Sequence, residues 1–329
     1  MSDAYIPPFT MTEEITNLVI EIAEHTGAMT VSEQLSKNPK LRRDNRIKSI
    51  HSSLAIEQNT LTEEQVSDVI DGKRVLGPPQ DIREVLNAYE AYEIMTKLNP
   101  YSVKDLLKAH KIMMEGLVKE AGVFRSKGVG VYAGDQLIHA GTPANYVPDL
   151  VGQLFDWLKK SKLHPLVKGC IFHYEFEFIH PFADGNGRTA RLWQNIILYN
   201  WKELFEYLPI ESQIKKYQEE YYSSIANCDH NGNSTEFIEF MLKMIDETLE
   251  DLMESTSVQA NHVSSYVNKL LDVMESGVAM TTFELMEKLN MKSRISFRDN
   301  YLSPALENGL IKMTNPDKPT SKNQMYYKV

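Results

Sequence analysis

Twelve consecutive residues, His180-Pro-Phe-Ala-Asp-Gly-Asn-Gly-Arg-Thr-Ala-Arg191, hold the densest chemistry in the chain. They lie between two apolar stretches, so the segment is expected to be a loop ending at a helix N-terminus. Asp-Gly-Asn-Gly lets the backbone take left-handed conformations and come close to a ligand. Backbone N–H groups there, with the helix dipole behind them, suit phosphate oxygens. Arg188 and Arg191 are three apart, on the same side of the first turn, and two cations there oppose the dipole. An anion must compensate, and a polyphosphate would do so. Asp184 is the only carboxylate of the loop. It suits Mg²⁺, which takes one or two carboxylates and completes its shell with phosphates and water. His180 supplies an imidazole of near-neutral pKa, suited to removing a hydroxyl proton. Phe182 is expected to point inward and anchor the loop. Any one of these residues reads as part of a plain Gly/Asn-rich turn, but the whole string is costly for stability alone.

The elements around the loop are helical by periodicity. Ile15, Leu18, Val19 and Ile22 repeat at i, i+3, i+4, i+7, as do Val147, Leu150, Val151, Leu154, Phe155 and Leu158 behind Pro148. From Leu166 to Phe178 apolar residues occur on every side, which places that helix at the centre of a bundle. Arg188 to Asn200 carries Leu192, Trp193, Ile196 and Ile197 on one face. One strand signal stands out. Val129-Gly-Val-Tyr132 and Leu137-Ile-His-Ala140 flank the turn-forming Ala133-Gly-Asp-Gln136, a β-hairpin. Two strands alone are marginal, so the hairpin leans on the bundle or accepts a third strand.

With 329 residues, the chain is expected to hold two domains. Composition is near the globular average, at 42% hydrophobic and 24% charged, which excludes wholesale disorder. Apolar runs are too short to cross a bilayer, and the N-terminus has no basic patch or apolar h-region. Cys170 and Cys228 form no C-x-x-C. These features predict a cytoplasmic protein without a structural zinc. The net charge of -10 opposes non-specific coating of nucleic acid. From Val258 onward nine Lys/Arg face seven Asp/Glu, about +2, against about -12 for the rest. The polar stretch 250–260 is the expected boundary, giving domains at 1–255 and 256–329. Beyond it the pattern predicts helices at about 261–275, after Thr281 or Thr282, and over Arg294–Asn308. Two short strands follow around Asn315-Pro-Asp-Lys-Pro. That is the order of a winged helix-turn-helix.

The string His180-x-Phe182-x-Asp184-Gly185-Asn186-Gly187-Arg188-x-x-Arg191 resembles, at every fixed position, the core motif of the Fic (Fic/Doc) family. The resemblance implies a mainly α fold: a Fic-type helical bundle with a β-hairpin flap, plus a small C-terminal winged helix-turn-helix domain. It implies a protein adenylyltransferase that moves AMP from ATP, with Mg²⁺, to a hydroxyl side chain of a target protein. His180 would be the general base and Asp184 the metal ligand. Gly185, Asn186 and Gly187 would form the anion hole, with Arg188 and Arg191 on the β- and γ-phosphates. Residues 129–140 stand where the family keeps its flap, which pins a target segment bearing Ser, Thr or Tyr by strand addition.

Ser53-Leu-Ala-Ile-Glu57 resembles the family's inhibitory motif, with Gln58 where Gly or Asn is usual. Glu57 would pair with Arg191 and displace the γ-phosphate. Tyr217, Tyr221 and Tyr222 are candidates for the adenosine pocket. Alternative readings keep the site for removing AMP or moving another phosphate-containing group. A reading of another class is a nucleotide-sensing regulator that binds DNA. Ser293, Arg294 and Arg298 would begin the recognition helix, with Lys318 and Lys322 in the wing. DNA contact and homo-oligomerisation are left open, and no membrane partner is expected. Asp229-His-Asn-Gly-Asn233 fails as a calcium loop, Gly128-Val-Gly130 fails as a dinucleotide fingerprint, and no P-loop sequence occurs. His173 and His180 lack zinc-site spacing.

Overall fold

The computed structural model describes residues 5–32, 38–128, 130–133, 136–140, 142–275, 277–307, 309–316, 318, 321 and 324–328. The chain divides into two compact units, Met1–Asp251 and Leu252–Val329; the polar stretch had suggested residue 255. Among the described residues no helix is long and apolar enough to cross a membrane.

The first unit is helical: α1 Glu13–Ser32, α2 Pro39–Ile56, α3 Glu63–Ile70, α4 Pro79–Ile94 and α5 Val103–Met114 precede a hairpin. Its strands are β1 Gly130–Ala133 and β2 Gln136–Ala140. They pair antiparallel, Gly130 opposite Ala140 and Ala133 opposite Gln136, with a register shift between Val131 and Tyr132. Val129 and the expected turn residues Gly134 and Asp135 lie outside the described residues. Then come α6 Val147–Lys160, α7 Pro165–Ile179, α8 Asn186–Tyr199, α9 Ile210–Lys216, α10 Gln218–Asn231 and α11 Thr235–Val273. Helix α7 buries Cys170, Phe172, Tyr174 and Phe176, as its apolar faces predict, while Phe178 near its end is 39% exposed. It begins at Pro165, which tolerates the first turn, and His164 Nδ1 accepts the Leu166 N–H. Helix α8 packs against it, burying Leu192, Trp193 and Ile196.

The division at 251/252 falls inside the polar stretch 250–260, through which α11 continues unbroken to Val273. The stretch is polar but contains neither Gly nor Pro, so nothing in its backbone ends a helix.

The second unit has its own core of Leu270, Met280, Leu285, Phe297, Tyr301, Ile311 and Tyr326, among others. Its elements are β3 Met280–Thr281, α12 Thr282–Lys288, α13 Arg294–Phe297, a π turn Arg298–Leu302, α14 Ser303–Glu307, β4 Ile311–Met313 and β5 Met325–Lys328. Thr281 and Glu284 form a capping box, which settles the choice between Thr281 and Thr282. The two C-terminal strands occur where the pattern puts them. A third, β3, completes a sheet of order β3-β5-β4; two residues are too few for a periodic signal. Lys322 lies outside the described residues.

Candidate active site

Helix α7 ends on His180, whose backbone is left-handed at φ 52° and ψ 61°. A non-glycine residue there is strained and must be held by its surroundings. The His180 N–H donates to Phe176 O at 2.9 Å. Arg125, itself 3% exposed, donates from Nε to His180 O at 2.6 Å and also to the carbonyls of Lys127, Ile179 and Thr142. One buried guanidinium thus ties the start of the loop to the chain on either side of the hairpin.

The loop closes on itself through Asn186. Its Oδ1 accepts the Phe182 N–H and its Nδ2 donates to Phe182 O, both at 2.9 Å. Phe182 is fully buried, as expected, and stacks on His110 with ring centroids 3.6 Å apart. His110 Nδ1 accepts the Gly122 N–H, so its Nε2 carries the hydrogen and donates to Asp184 O at 2.9 Å. Burial lowers His110 to about 4, which keeps the ring neutral in this bridging role.

Gly185 turns the chain into α8 at φ 80°, a conformation that favours glycine. The first helical bond runs from the Thr189 N–H to Gly185 O, so the amides of Asn186, Gly187 and Arg188 precede it. For the anion hole expected at 185–187 this leaves the N–H groups of Asn186 and Gly187, because the Asn186 side chain is spent on closing the loop and the Gly185 N–H donates to Asp184 Oδ1 at 2.6 Å.

The two arginines part. Arg191, 2% exposed, donates from Nε to Ser53 Oγ at 3.1 Å and from its terminal nitrogen to Ser53 O at 3.0 Å and Glu57 Oε1 at 2.7 Å. Arg188, 4% exposed, turns to Glu84 Oε1 and Asp184 Oδ1, each at 3.1 Å. The compensation that the charge argument assigned to a polyphosphate is thus supplied by Glu57, Glu84 and Asp184. Sequence reading missed Glu84, which also accepts from Asn59 Nδ2 at 2.8 Å. It equally missed Arg125 and His110; none of the three sits in a motif or at a telling spacing.

Helix α2 delivers Ser53 and Glu57. Its last carbonyls are satisfied by side chains from α9 and α10: Lys215 Nζ to Ala55 O, Gln218 Nε2 and the Tyr222 hydroxyl to Ile56 O. Gln58 takes φ 68°, the left-handed helix end where Gly or Asn is favoured. A Cβ on Gly187 would overlap Glu57 Oε1 and crowd Arg191, so glycine at 187 is what lets the carboxylate reach α8.

A cavity of ≈ 540 Å³ gathers Glu57, Glu177, His180, Asp184–Gly187, Arg191, Gln218, Tyr221, Tyr222 and Asp229 in its lining. Arg188 and Tyr217 are not in that lining; Tyr217 instead has Lys216 Nζ over its ring at 4.8 Å. Tyr221 is 1% exposed with its hydroxyl 3.0 Å from His173 Nε2, so it forms the wall. Tyr222 is 48% exposed. His180 is 21% exposed, with Nδ1 3.3 Å from Glu177 O and 3.8 Å from Glu177 Oε2. Burial, joined by the Glu57 charge, pushes the Glu177 carboxyl up to about 8.

The Fic/DOC family domain matches residues 100–198 and the Fic-like C-terminal domain matches 265–327. The solved structure of a Fic family protein from Desulfovibrio desulfuricans G20 is 48% identical, covers 99% of this chain and 98% of its own, and superposes with a TM-score of 0.74. This chain belongs to the Fic/DOC family. Fic relatives include the protein adenylyltransferase Fic of Nematostella vectensis, 29% identical over 64% of this chain and 49% of its own. The Fic-1 structure (residues 134–508) from C. elegans, at 21% identity, covers 75% of this chain and 72% of its own, and shares the fold with a TM-score of 0.59. The chain spans about half the length of the curated Fic relatives it matches.

Proposed function

We propose that this Fic protein transfers AMP from ATP to a hydroxyl of a target protein and is restrained by Glu57. The observation that carries this is a single cavity bringing together His180, Asp184, the N-terminal amides of α8, Arg191 and Glu57. The Nδ1–H of His180 faces a carbonyl oxygen, which only accepts, so the lone pair is on Nε2. Nε2 takes the hydroxyl proton while the hydroxyl oxygen attacks the α-phosphorus. The bond to the pyrophosphate oxygen breaks. The α8 amides hold phosphate oxygens, and Arg191, once released from Glu57, takes the terminal phosphate.

Asp184 fits a magnesium ligand. Its side chain is 55% exposed at the cavity, a carboxylate of the loop that leads into the α8 N-terminus. Such a donor set matches an ion held mostly by phosphates and water. When bound, Mg²⁺ would neutralise phosphate charge.

Residues 130–140 would receive the target segment as an added strand. The second unit, by its element order, would be a winged helix whose Arg294 and Arg298 are the DNA-contact candidates. Incubation with labelled ATP and Mg²⁺ tests the reading. Glu57→Gly should gain label, and adding His180→Ala should remove it by about a hundredfold or more. Equal labelling of all three proteins would overturn both roles.

A further inference from the structure

Glu177 lines the cavity without a part in the proposed transfer. It lies on the last turn of α7, three residues before His180. Its side chain is 12% exposed, and its buried Oε1 has no hydrogen-bond partner among the described residues. Its Oε2 is 3.8 Å from His180 Nδ1, only slightly beyond the Glu177 carbonyl oxygen at 3.3 Å. The carbonyl contact is at the long end of N–H···O geometry, and a small side-chain rotation brings a carboxylate oxygen into its place.

We propose that Glu177 is the positioning residue of His180, and that Glu57 restrains the site through Glu177 as well as through Arg191. This rests on the general-base role given above to His180. When the substrate O–H bond breaks, its proton goes to Nε2 and its electron pair stays on the attacking oxygen. The Nδ1–H remains on the imidazolium, and an ionised Glu177 carboxylate accepts it as a charge-assisted hydrogen bond. A protonated carboxyl accepts that bond only as a neutral group and stabilises the cation far less.

The groups facing Glu177 decide which form is present. Glu57 comes from the end of α2, Arg191 from α8, Asp229, Tyr221 and Tyr222 from α10, and His180 from its own loop. Burial disfavours the anion first; Glu57 and Asp229 add to this and Arg191 opposes it. While Glu57 holds Arg191 at 2.7 Å, burial and the Glu57 charge together favour the protonated form of the Glu177 carboxyl. Withdrawal of Glu57 removes the repelling charge and leaves Arg191 to favour the Glu177 anion.

The test is an NMR titration of the full chain without nucleotide, reading the Glu177 carboxyl carbon and the His180 ring nitrogens. The Glu177 midpoint should fall by about one pH unit or more from wild type to Glu57→Gly. In the Glu57→Gly background, Glu177→Gln should lower the His180 midpoint by about one pH unit, while Glu177→Asp retains it. A Glu177 midpoint indifferent to Glu57 would overturn the restraint. A His180 midpoint indifferent to Glu177→Gln would overturn the positioning role. In labelling assays on the same background, Glu177→Gln should lower kcat about tenfold, leave the KM for ATP unchanged and move the acid limb of the kcat profile to lower pH. Absence of labelling by every variant would count against adenylyl transfer, and the titration would still decide the role of Glu177.

Discussion

Arg188 and Arg298 begin helical segments in the two units and meet opposite surroundings. The Arg188 side chain is 5% exposed, and its carboxylate partner Glu84 is 104 residues away in the chain. Arg298 is 66% exposed and leans on its neighbour Asp299 at 2.9 Å. In the second unit the core is apolar and the charges stay in water. In the first, charges are carried inside, and each needs a partner brought from a distant element. The contrast teaches where chemistry is built: a buried guanidinium is retained where the fold supplies carboxylates or, as at Arg125, converging carbonyl oxygens, or where a substrate supplies phosphates.

The strongest way to break this contrast is to remove the partner of the buried cation. Glu84→Ala should cost the first unit about 3 kcal/mol, because Arg188 remains inside with one partner fewer. Urea denaturation followed by tryptophan fluorescence reads that unit, since Trp157, Trp193 and Trp201 all lie within it. A loss of under about 1 kcal/mol would mean that the burial of Arg188 is not energetically linked to Glu84.

A pH titration sharpens the same contrast. His110 sits at about 4 and His173 at about 3, both lowered chiefly by burial from an ordinary 6.5. The unfolded chain therefore binds more protons between the folded and ordinary values. The stability contribution is complete above the ordinary value and is lost as pH falls toward the folded one. From pH 7 to pH 5, each buried histidine should cost about 2 kcal/mol in urea titrations. Glu175 and Glu177, raised to about 7 and about 8, titrate in the opposite sense over the same range, so the readout is wild type against His173→Gln. A pH dependence unchanged by that substitution would show that the ring is solvated.

Smaller effects are expected where the backbone or the surface is touched. Gln58→Gly relieves a left-handed residue and should stabilise by about 1 kcal/mol, seen as a higher melting temperature. Unchanged melting would mean that the helix end relaxes by another route. Asp299→Ala removes an exposed partner and should change stability by less than about 0.5 kcal/mol by calorimetry. A larger loss would place Arg298 in the same class as Arg188 and erase the distinction between the units.

Much of this was legible in the residues. The apolar run of α7, the helix start behind Asp-Gly-Asn-Gly and the hairpin follow from local pattern and turn chemistry. So do the Thr281 cap and the two C-terminal strands. The stretch 250–260 reads as a boundary because it is polar, and the division of the chain lies in it, yet the helix runs on because polarity alone does not interrupt a helix. Tyr217 sits within a few residues of Tyr221 and Tyr222, at the junction of α9 and α10, and is not in the cavity lining. His110, Arg125 and Glu84 carry no local mark, because their roles consist of contacts with carbonyls and charges remote in the chain.

The amino-acid order by itself determined that residues 180–191 form a glycine-rich entry into a helix, and that a histidine precedes it and two arginines follow. Those properties depend on backbone freedom and on spacing along one helix, which are local. Only the tertiary structure decided which carboxylate meets which arginine. Glu57 lies 134 residues from Arg191 and Glu84 lies 104 residues from Arg188. Helical periodicity names the face that turns inward, but the charge waiting opposite is set by how distant helices pack.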